Sequence, residues 1–491
     1  MSTNLVQAAQ AQAAKRGRLS QVSLIFACGT ALFSDVIGSV NTILGLLYPK
    51  GFKQHPKYSR TLSSLTFAGT VAGMLIFGYL SDKVGRKFGM MAATVIVVIF
   101  SALSAASYGA GDTFSGLITS LSAYRFLLGI GVGAEYPCGS VAASEQSEGQ
   151  GIAKNAQHRW FALATNSMID FGFVIAAFVP LVLLWIFGLN HLRVVWRLSL
   201  GLGVIPASIV FVWRLKMVES TRYQKDSMKH VQLPYWLIFR RYWPSLIAIS
   251  VTWFIYDFIT YPFGLYSSTI LLGVLGKDPS LYKSFGWNVV INLFYMPGTL
   301  IGAFVVDYLG PKNTMIFGLL AQAAIGFIMS GAYIPLQRHV AAFAVVYGIF
   351  LSFGELGPGN CLGLLASKMG PTAARGHIYG IAAAVGKVGA FVGIWVFPPM
   401  ITAFSHHGKD PNRGYTGPFW VGSGLAVLSA IITFLLIKPL SHDGMEAEDL
   451  AFREYLEAHG WDTSQRALEV TSESEVASIE EKHIAVEETK V

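Results

Sequence analysis

Tyr124-Arg125-Phe126-Leu127-Leu128-Gly129-Ile130-Gly131-Val132-Gly133-Ala134-Glu135-Tyr136-Pro137 is the stretch whose reading decides the fold. An arginine and a glutamate stand toward the two ends of an apolar glycine run that has no room to be a soluble loop. Charges inside hydrocarbon are costly, so an ionisable residue there marks a functional site by default. The glycines match the small-residue pattern that lets transmembrane helices approach closely. The Gly129-x-Gly131 spacing alone would fit a dinucleotide fingerprint, but no strand precedes it and apolar residues surround it. Helix packing accounts for the glycines. It leaves Glu135 unexplained.

The composition extends this reading to the whole chain. Of 491 residues, 53% are hydrophobic and only 13% charged, against about 25% charged in ordinary globular proteins. Apolar segments of helix-spanning length, about 20 residues each, recur almost throughout. Backbone polar groups in lipid need internal partners, so these segments must be helices. The expected class is an all-α polytopic membrane protein. The formal charge of +8 then reflects cytoplasmic flanks rather than nucleic-acid binding. Cys28, Cys138 and Cys361 lie in apolar segments and offer no disulfide or metal spacing. Residues 1–21 are polar and basic, unlike a cleavable signal peptide. Nothing in the sequence calls for a metal or a cofactor.

Twelve apolar segments are expected, arranged as two six-helix halves around a central cavity. The expected boundaries are an N-terminal arm at 1–21, a first half at 22–215 and a central loop at 216–244. A second half follows at 245–438, then an acidic tail at 439–491, read as mostly solvated. Within the tail an amphipathic helix is predicted from Met445 to His459. An internal repeat supports the duplication. Asp82-Lys83-Val84-Gly85-Arg86-Lys87 between segments 2 and 3 returns in decayed form as Asp307-Tyr308-Leu309-Gly310-Pro311-Lys312 between segments 8 and 9. Basic loops, including Lys83, Arg86, Lys154, Arg214, Arg222 and Arg241, fall on one side with both termini, which predicts that side to be cytoplasmic. Lys50, Lys53, Lys57 and Arg60 fall on the other side, where they form either a solvated loop or a vestibule attracting anions.

Five carboxylates lie inside apolar segments: Asp35, Glu135, Asp170, Asp257 and Glu355. Each costs about 2.5–3.5 kcal/mol at a bilayer centre unless it faces water, pairs with a cation or binds a proton. Burial favours the neutral form of an acid, which makes such groups natural proton carriers. The bland reading of each is a hydrogen bond between helices. Asp257 stands apart because Trp253 and Tyr261 lie about one turn away, with Tyr256 beside it. Arg125 and Lys387 are the basic residues placed well inside apolar segments, and one of them is the expected partner of Glu135.

Asp82-Lys83-Val84-Gly85-Arg86-Lys87, the pair Trp196-Arg197 and Glu219-Ser220-Thr221-Arg222 together resemble the major facilitator superfamily. Within it, Gly129 to Pro137 and Gly386-Lys387-Val388-Gly389 resemble the phosphate:proton symporter branch. Thr252-Trp253-Phe254-Ile255-Tyr256-Asp257-Phe258, with Ser267-Ser268-Thr269-Ile270, is similar to the fungal glycerophosphoinositol permeases of the plasma membrane. The chain departs from the phosphate branch in having Glu135 where aspartate stands and Asp170 near a usual glutamine.

The resemblance implies proton-coupled import of glycerophosphodiesters by alternating access. It makes Asp257 an acid that contacts substrate and responds to protons, with Asp35 and Glu135 as further proton carriers. Tyr136, Trp253, Tyr261 and Asn360 become cavity contacts, and Lys387 and Arg125 offset the anion. Asp82, Gly85 and Arg86 become a gate between conformations. Asp170 and Glu355, added to many aromatic residues, tilt the head group from inositol toward choline. The implied partners are a small anionic or zwitterionic phosphodiester, protons and the bilayer, with the protein a monomer in the plasma membrane. An inorganic phosphate:proton symporter is the nearest alternative. A transporter-like nutrient sensor signalling through its tail is an alternative of another class. No nucleophile–base pair or metal-ligand cluster supports an enzyme.

Overall fold

The computed structural model describes residue 26 and residues 37–55, 57–109, 111, 113–148, 152–217, 219–228, 233–275, 280–405, 410–440 and 444–461. Asp35 lies outside the described residues, and so does the rest of the acidic tail. In chain order the helices are α1 (Ile37–Leu47), α2 (Lys57–Lys83), α3 (Arg86–Ala105), α4 (Phe114–Ser147), α5 (Lys154–Phe187) and α6 (Leu189–Leu215). The second set is α7 (Tyr235–Leu275), α8 (Leu281–Leu309), α9 (Pro311–Gly331), α10 (Val340–Lys368), α11 (Arg375–Phe404) and α12 (Pro411–Leu436). A last helix, α13 (Gly444–Ala458), follows. Eleven of these are long and apolar enough to cross a membrane, and α1 is a shorter apolar helix. Their outer faces leave Ile209, Val212, Phe304 and Phe434 exposed, as surfaces bathed in lipid rather than water would.

The glycines of the opening stretch divide between two neighbours. A Cβ on Gly129 would lie 2.2 Å from the Thr66 carbonyl, and one on Gly133 would lie 2.1 Å from that of Thr70. Gly69 and Gly73 on α2 meet the carbonyls of Phe126 and Ile130 just as closely. Two backbones therefore touch along a shared small-residue face. Gly131 points the other way, toward Ala93 and Ile96 of α3.

Both halves carry the same irregularities. α4 changes to one π-helical turn at Tyr136–Ser140, and α10 does so at Glu355–Gly359, each around a proline. A proline inside a helix removes a backbone donor and loosens the ladder, which such a turn absorbs. The loop motif is duplicated in shape as well as in letters. Gly85 and Gly310 both start their helices with positive φ, 142° and 77°, a region that favours glycine. Asp82 accepts hydrogen bonds from the Gly376 and His377 amides at 2.9 and 2.8 Å, at the start of α11. Asp307 accepts one from the Arg159 amide at 3.1 Å, near the start of α5. In each half the end of the second helix thus holds the start of the fifth helix of the other half.

Two expectations need correction. The central loop does not run to residue 244, because α7 begins at Tyr235 and buries Ile238 and Tyr242. The beginning of the tail forms the predicted amphipathic helix but is solvated on one face only. Met445, Asp449, Phe452 and Leu456 share one face of α13 and are buried, since a helical period gathers them into a stripe that finds an apolar partner. That partner includes Leu233, Ile238, Ala374 and Ile378.

Candidate transport site

Where the halves meet, two cavities adjoin. The larger, about 220 Å³, is walled by residues of both halves, including Arg125, Thr66, Asn288 and Asn292. The smaller, about 50 Å³, is walled by Asp170, Asp257 and Glu355 together with Trp253, Tyr256 and Tyr379. Tyr136, Phe173, Thr260, Tyr261 and Lys387 border both.

Lys387 stands at this junction. Its ammonium donates to Asp257 Oδ2 at 2.9 Å and to the Tyr261 hydroxyl at 2.6 Å. It also lies 4.0 Å from the Tyr261 ring centroid and 5.0 Å from that of Tyr136. The two tyrosine hydroxyls are 3.4 Å apart. Trp253 packs edge-on against Tyr379 at 5.6 Å and against the backbone of Gly386. α4, α7 and α11 therefore bring Tyr136, Trp253, Asp257, Tyr261 and Lys387 to one place. α7 supplies its three from successive turns.

Arg125 is buried beside the larger cavity, where its guanidinium donates to Thr66 Oγ1 at 2.8 and 3.0 Å. Among the described residues it takes no part in the hydrogen bonds of Lys387, with which it shares the cavity's lining.

Asp170, Glu355 and Asn360 belong to a second polar network that crosses between the halves. Thr299 donates to Asp170 Oδ2. Asn166 donates to Glu355 Oε2 at 3.1 Å and to Asn360 Oδ1 at 3.3 Å. Tyr256 donates to Glu355 Oε1 at 2.6 Å, and Asn360 donates to the Thr299 carbonyl at 2.9 Å. Tyr256, Asn166 and Thr299 complete this network. The last two, being neutral, carried no signal in the sequence.

Glu135 departs from expectation. Neither Arg125 nor Lys387 is its partner. Arg214, assigned from the sequence to a basic loop, reaches back from the end of α6 and grips both carboxylate oxygens, at 2.6 and 2.8 Å. Arg214 also donates to Thr94 Oγ1 and to the Met90 carbonyl, and neither member of the pair is exposed. Two forked donors facing two oxygens explain the choice, since a lysine offers only a point charge.

Asp82 and Arg86 lie away from the cavity, at the motif end. Arg86 donates to Asp82 at 2.5 Å, to Glu145 at 3.2 Å and across the halves to the Thr372 carbonyl at 3.2 Å. Arg375 meets Glu145 at 3.4 Å, and Lys368 meets Glu148 at 2.6 Å. Asp449 of α13 accepts from the Thr372 amide at 2.6 Å and from its hydroxyl at 2.7 Å. Ser220 both starts the short helix Thr221–Asp226 and donates to Glu145 at 2.6 Å. Glu219 accepts the Lys87 amide at 2.8 Å. Burial holds its carboxyl above the usual range, while that amide and Arg86 pull the other way. The halves also touch at the opposite end, where Trp395 donates to Ser64 at 3.0 Å and lies under the Arg60 guanidinium.

This arrangement can be set beside known proteins. The Sugar (and other) transporter family model matches residues 25–232 and 224–449. Glycerophosphocholine permease GIT4 of Candida albicans is 47% identical over 446 residues, covering 89% of this chain and 82% of its own. The major glycerophosphoinositol permease GIT3 of Candida albicans is 44% identical, covering 89% of this chain and 82% of its own. Among solved structures, the proton:xylose symporter XylE of the major facilitator superfamily shares the fold, with a TM-score of 0.72 at 18% identity over 88% of this chain and 99% of its own. Helices fit to cross a membrane, a duplicated motif that joins the halves and permease relatives over nine-tenths of the length converge. The chain belongs to the Sugar (and other) transporter family and is a transporter rather than an enzyme.

Proposed function

We propose that this transporter imports glycerophosphodiesters across the plasma membrane, coupled to protons, by alternating access. The observation that carries the proposal is the Lys387 ammonium held between Asp257, Tyr136 and Tyr261 at the junction of two cavities. A phosphodiester carries one negative charge and needs a cation and hydroxyl donors, which this cage supplies. Free phosphate would need no more than the cage, whereas a diester needs room on both sides of its phosphorus. The adjoining cavities offer that room, and relatives named as glycerophosphodiester permeases favour the same reading.

The coupling follows from competition for Lys387. A phosphate oxygen approaching the ammonium displaces Asp257, and a buried carboxylate deprived of its cation then takes a proton. Substrate and proton thereby load together. One proton with a monoanion moves no net charge. A second proton would let a potential of about 100 mV contribute about 2.3 kcal/mol. Asp35 is proposed as a further carrier. Glu135 could serve only if its pair with Arg214 opens. Contacts between the halves at both ends fit a cavity opened by turns to either side, with the motif end and both termini cytoplasmic, and the protein is proposed to work as a monomer.

Uptake of labelled glycerophosphodiester into proteoliposomes with an imposed proton gradient tests this. Asp257→Asn is expected to abolish gradient-driven accumulation while exchange of substrate across the membrane persists. Accumulation surviving in that variant overturns the coupling role. Full competition by micromolar free phosphate in the unmodified protein would favour the phosphate reading instead.

A further inference from the structure

Ser267, on α7 beyond Tyr261, donates its hydroxyl to Asn288 Oδ1 of α8 at 2.7 Å. Asn292, one turn further along α8, donates its side-chain amide to the Asn288 carbonyl at 2.7 Å and to Asn288 Oδ1 at 3.2 Å. These contacts settle which way both amides point. A backbone carbonyl only accepts, so the Asn292 atom beside it is the nitrogen. Two donors converge on the Asn288 atom, so that one is the oxygen. What remains is one donor, Asn288 Nδ2, and one acceptor, Asn292 Oδ1. Neither has a hydrogen-bond partner among the described residues. Neither is sealed in, and both asparagines border the larger cavity.

The rest of that wall has less to offer a ligand. Thr70, Thr94 and Ser199 border the same cavity, but each donates to the carbonyl four residues back on its own helix, at 2.9, 2.7 and 2.7 Å. Phe67, Leu128 and Phe173 add apolar surface. A donor and an acceptor one turn apart suit a group that takes one hydrogen bond and gives another, which is a hydroxyl. A phosphate oxygen would meet the like partial charge of Asn292 Oδ1, and a quaternary ammonium neither gives nor takes a hydrogen bond. A ligand that displaced water here without such bonds would leave both amides unsatisfied. We propose that Asn288 and Asn292, set in place by Ser267, read the glycerol hydroxyls of the substrate from the larger cavity.

This inference rests on the glycerophosphodiester reading and adds the residues that select the glycerol end. Lys387 borders the same cavity, so with phosphate held there one ester arm enters it. Glycerol is the arm that every glycerophosphodiester has, and a pair locked from behind cannot readjust to head groups that differ. Its two neighbouring hydroxyls match one donor and one acceptor. Free phosphate brings no such arm, so the pair also discriminates against it. Ser267 is a positioning residue, acting on the substrate through Asn288.

The experiment is competition against uptake of labelled glycerophosphocholine or glycerophosphoinositol, whichever the protein accumulates in proteoliposomes. The competitors are the same diester unlabelled and its analogue with a propyl group in place of glycerol. In the unmodified protein the analogue is expected to compete about tenfold or more worse, since the head is equal and only the hydroxyls are missing. In Asn288→Ala and in Asn292→Ala the ratio of the two inhibition constants should fall toward unity, whatever happens to the absolute rate. Ser267→Ala, which frees the Asn288 amide without touching the substrate, should lower the ratio part way. Variants too slow to transport are compared by the thermal protection that each compound gives the purified protein. Equal competition in the unmodified protein overturns the glycerol subsite, even if no variant folds. A large ratio that all three variants preserve overturns the assignment to this pair. Uptake of free phosphate but of neither labelled diester would show that the glycerophosphodiester reading itself has failed and the subsite with it.

Discussion

At the scale of single residues, Glu135 and Arg214 show what a buried charge demands. Arg214 donates to both oxygens of Glu135, and also to Thr94 and to the Met90 carbonyl. Removing one partner of a buried pair leaves the other uncompensated, at about 3–5 kcal/mol. Glu135→Gln is therefore expected to lower the thermal midpoint of the detergent-purified protein markedly. Changing Arg214→Met in the same chain should recover most of that loss, because no charge is then left alone. If the double variant is no more stable than Glu135→Gln, the pair is not what holds these helices. The sequence made the acid conspicuous but hid its partner. Arginines near helix ends usually reach out to the interface, and nothing in the letters around Arg214 says that this one turns inward. Lys387 was easier to place, since it stands between Gly386 and Gly389 with no helix end nearby.

At the scale of elements, the glycine run was legible because only small residues permit backbones to touch, and any bulkier pattern would have excluded the packing. The direction of each glycine was not legible, since it depends on which neighbour the topology brings. Gly133 faces the Thr70 carbonyl, with 2.1 Å left for a Cβ, whereas Gly131 faces α3 with 2.9 Å to the nearest side-chain carbon. Overpacking costs about 1–3 kcal/mol, more where backbone must move than where a side chain can. Gly133→Ala should accordingly cost more monodisperse protein in size-exclusion chromatography than Gly131→Ala. The reverse order would mean that α2 and α4 can part more easily than α3 can adjust. The π-helical turns could be suspected from Pro137 and Pro358 but not located, because a proline kink has several outcomes. Asn166 and Thr299, which tie Asp170 to Glu355, are residues that any membrane helix carries without consequence.

At the scale of the whole molecule, the two ends are closed by different chemistry. At the opposite end the halves meet through Trp395, Ser64 and Arg60. The motif end is joined by charges: Asp82 on the first amides of α11, Arg86 on Thr372, Arg375 on Glu145, and Asp449 bringing in α13. Hydrogen bonds to charged groups contribute about 1.5–3 kcal/mol each. The motif end should hold its closure more strongly, and Asp82, which accepts both α11 amides, should be its most sensitive point. Gly363, which borders the small cavity and packs near Tyr379 and Phe161, gives a reporter position. Gly363→Cys is expected to react slowly with an impermeant maleimide applied from the motif side. Adding Asp82→Asn weakens the acceptor that both α11 amides use, whereas its contact with Arg86 lies within one half, so the open population should rise by about ten- to a hundredfold. The labelling rate should rise with it until access is no longer limiting. An unchanged rate would mean that Asp82 shapes its own helix end without holding the halves together. In that case its copy Asp307, which takes a single backbone amide from the other half, could not act as a latch either.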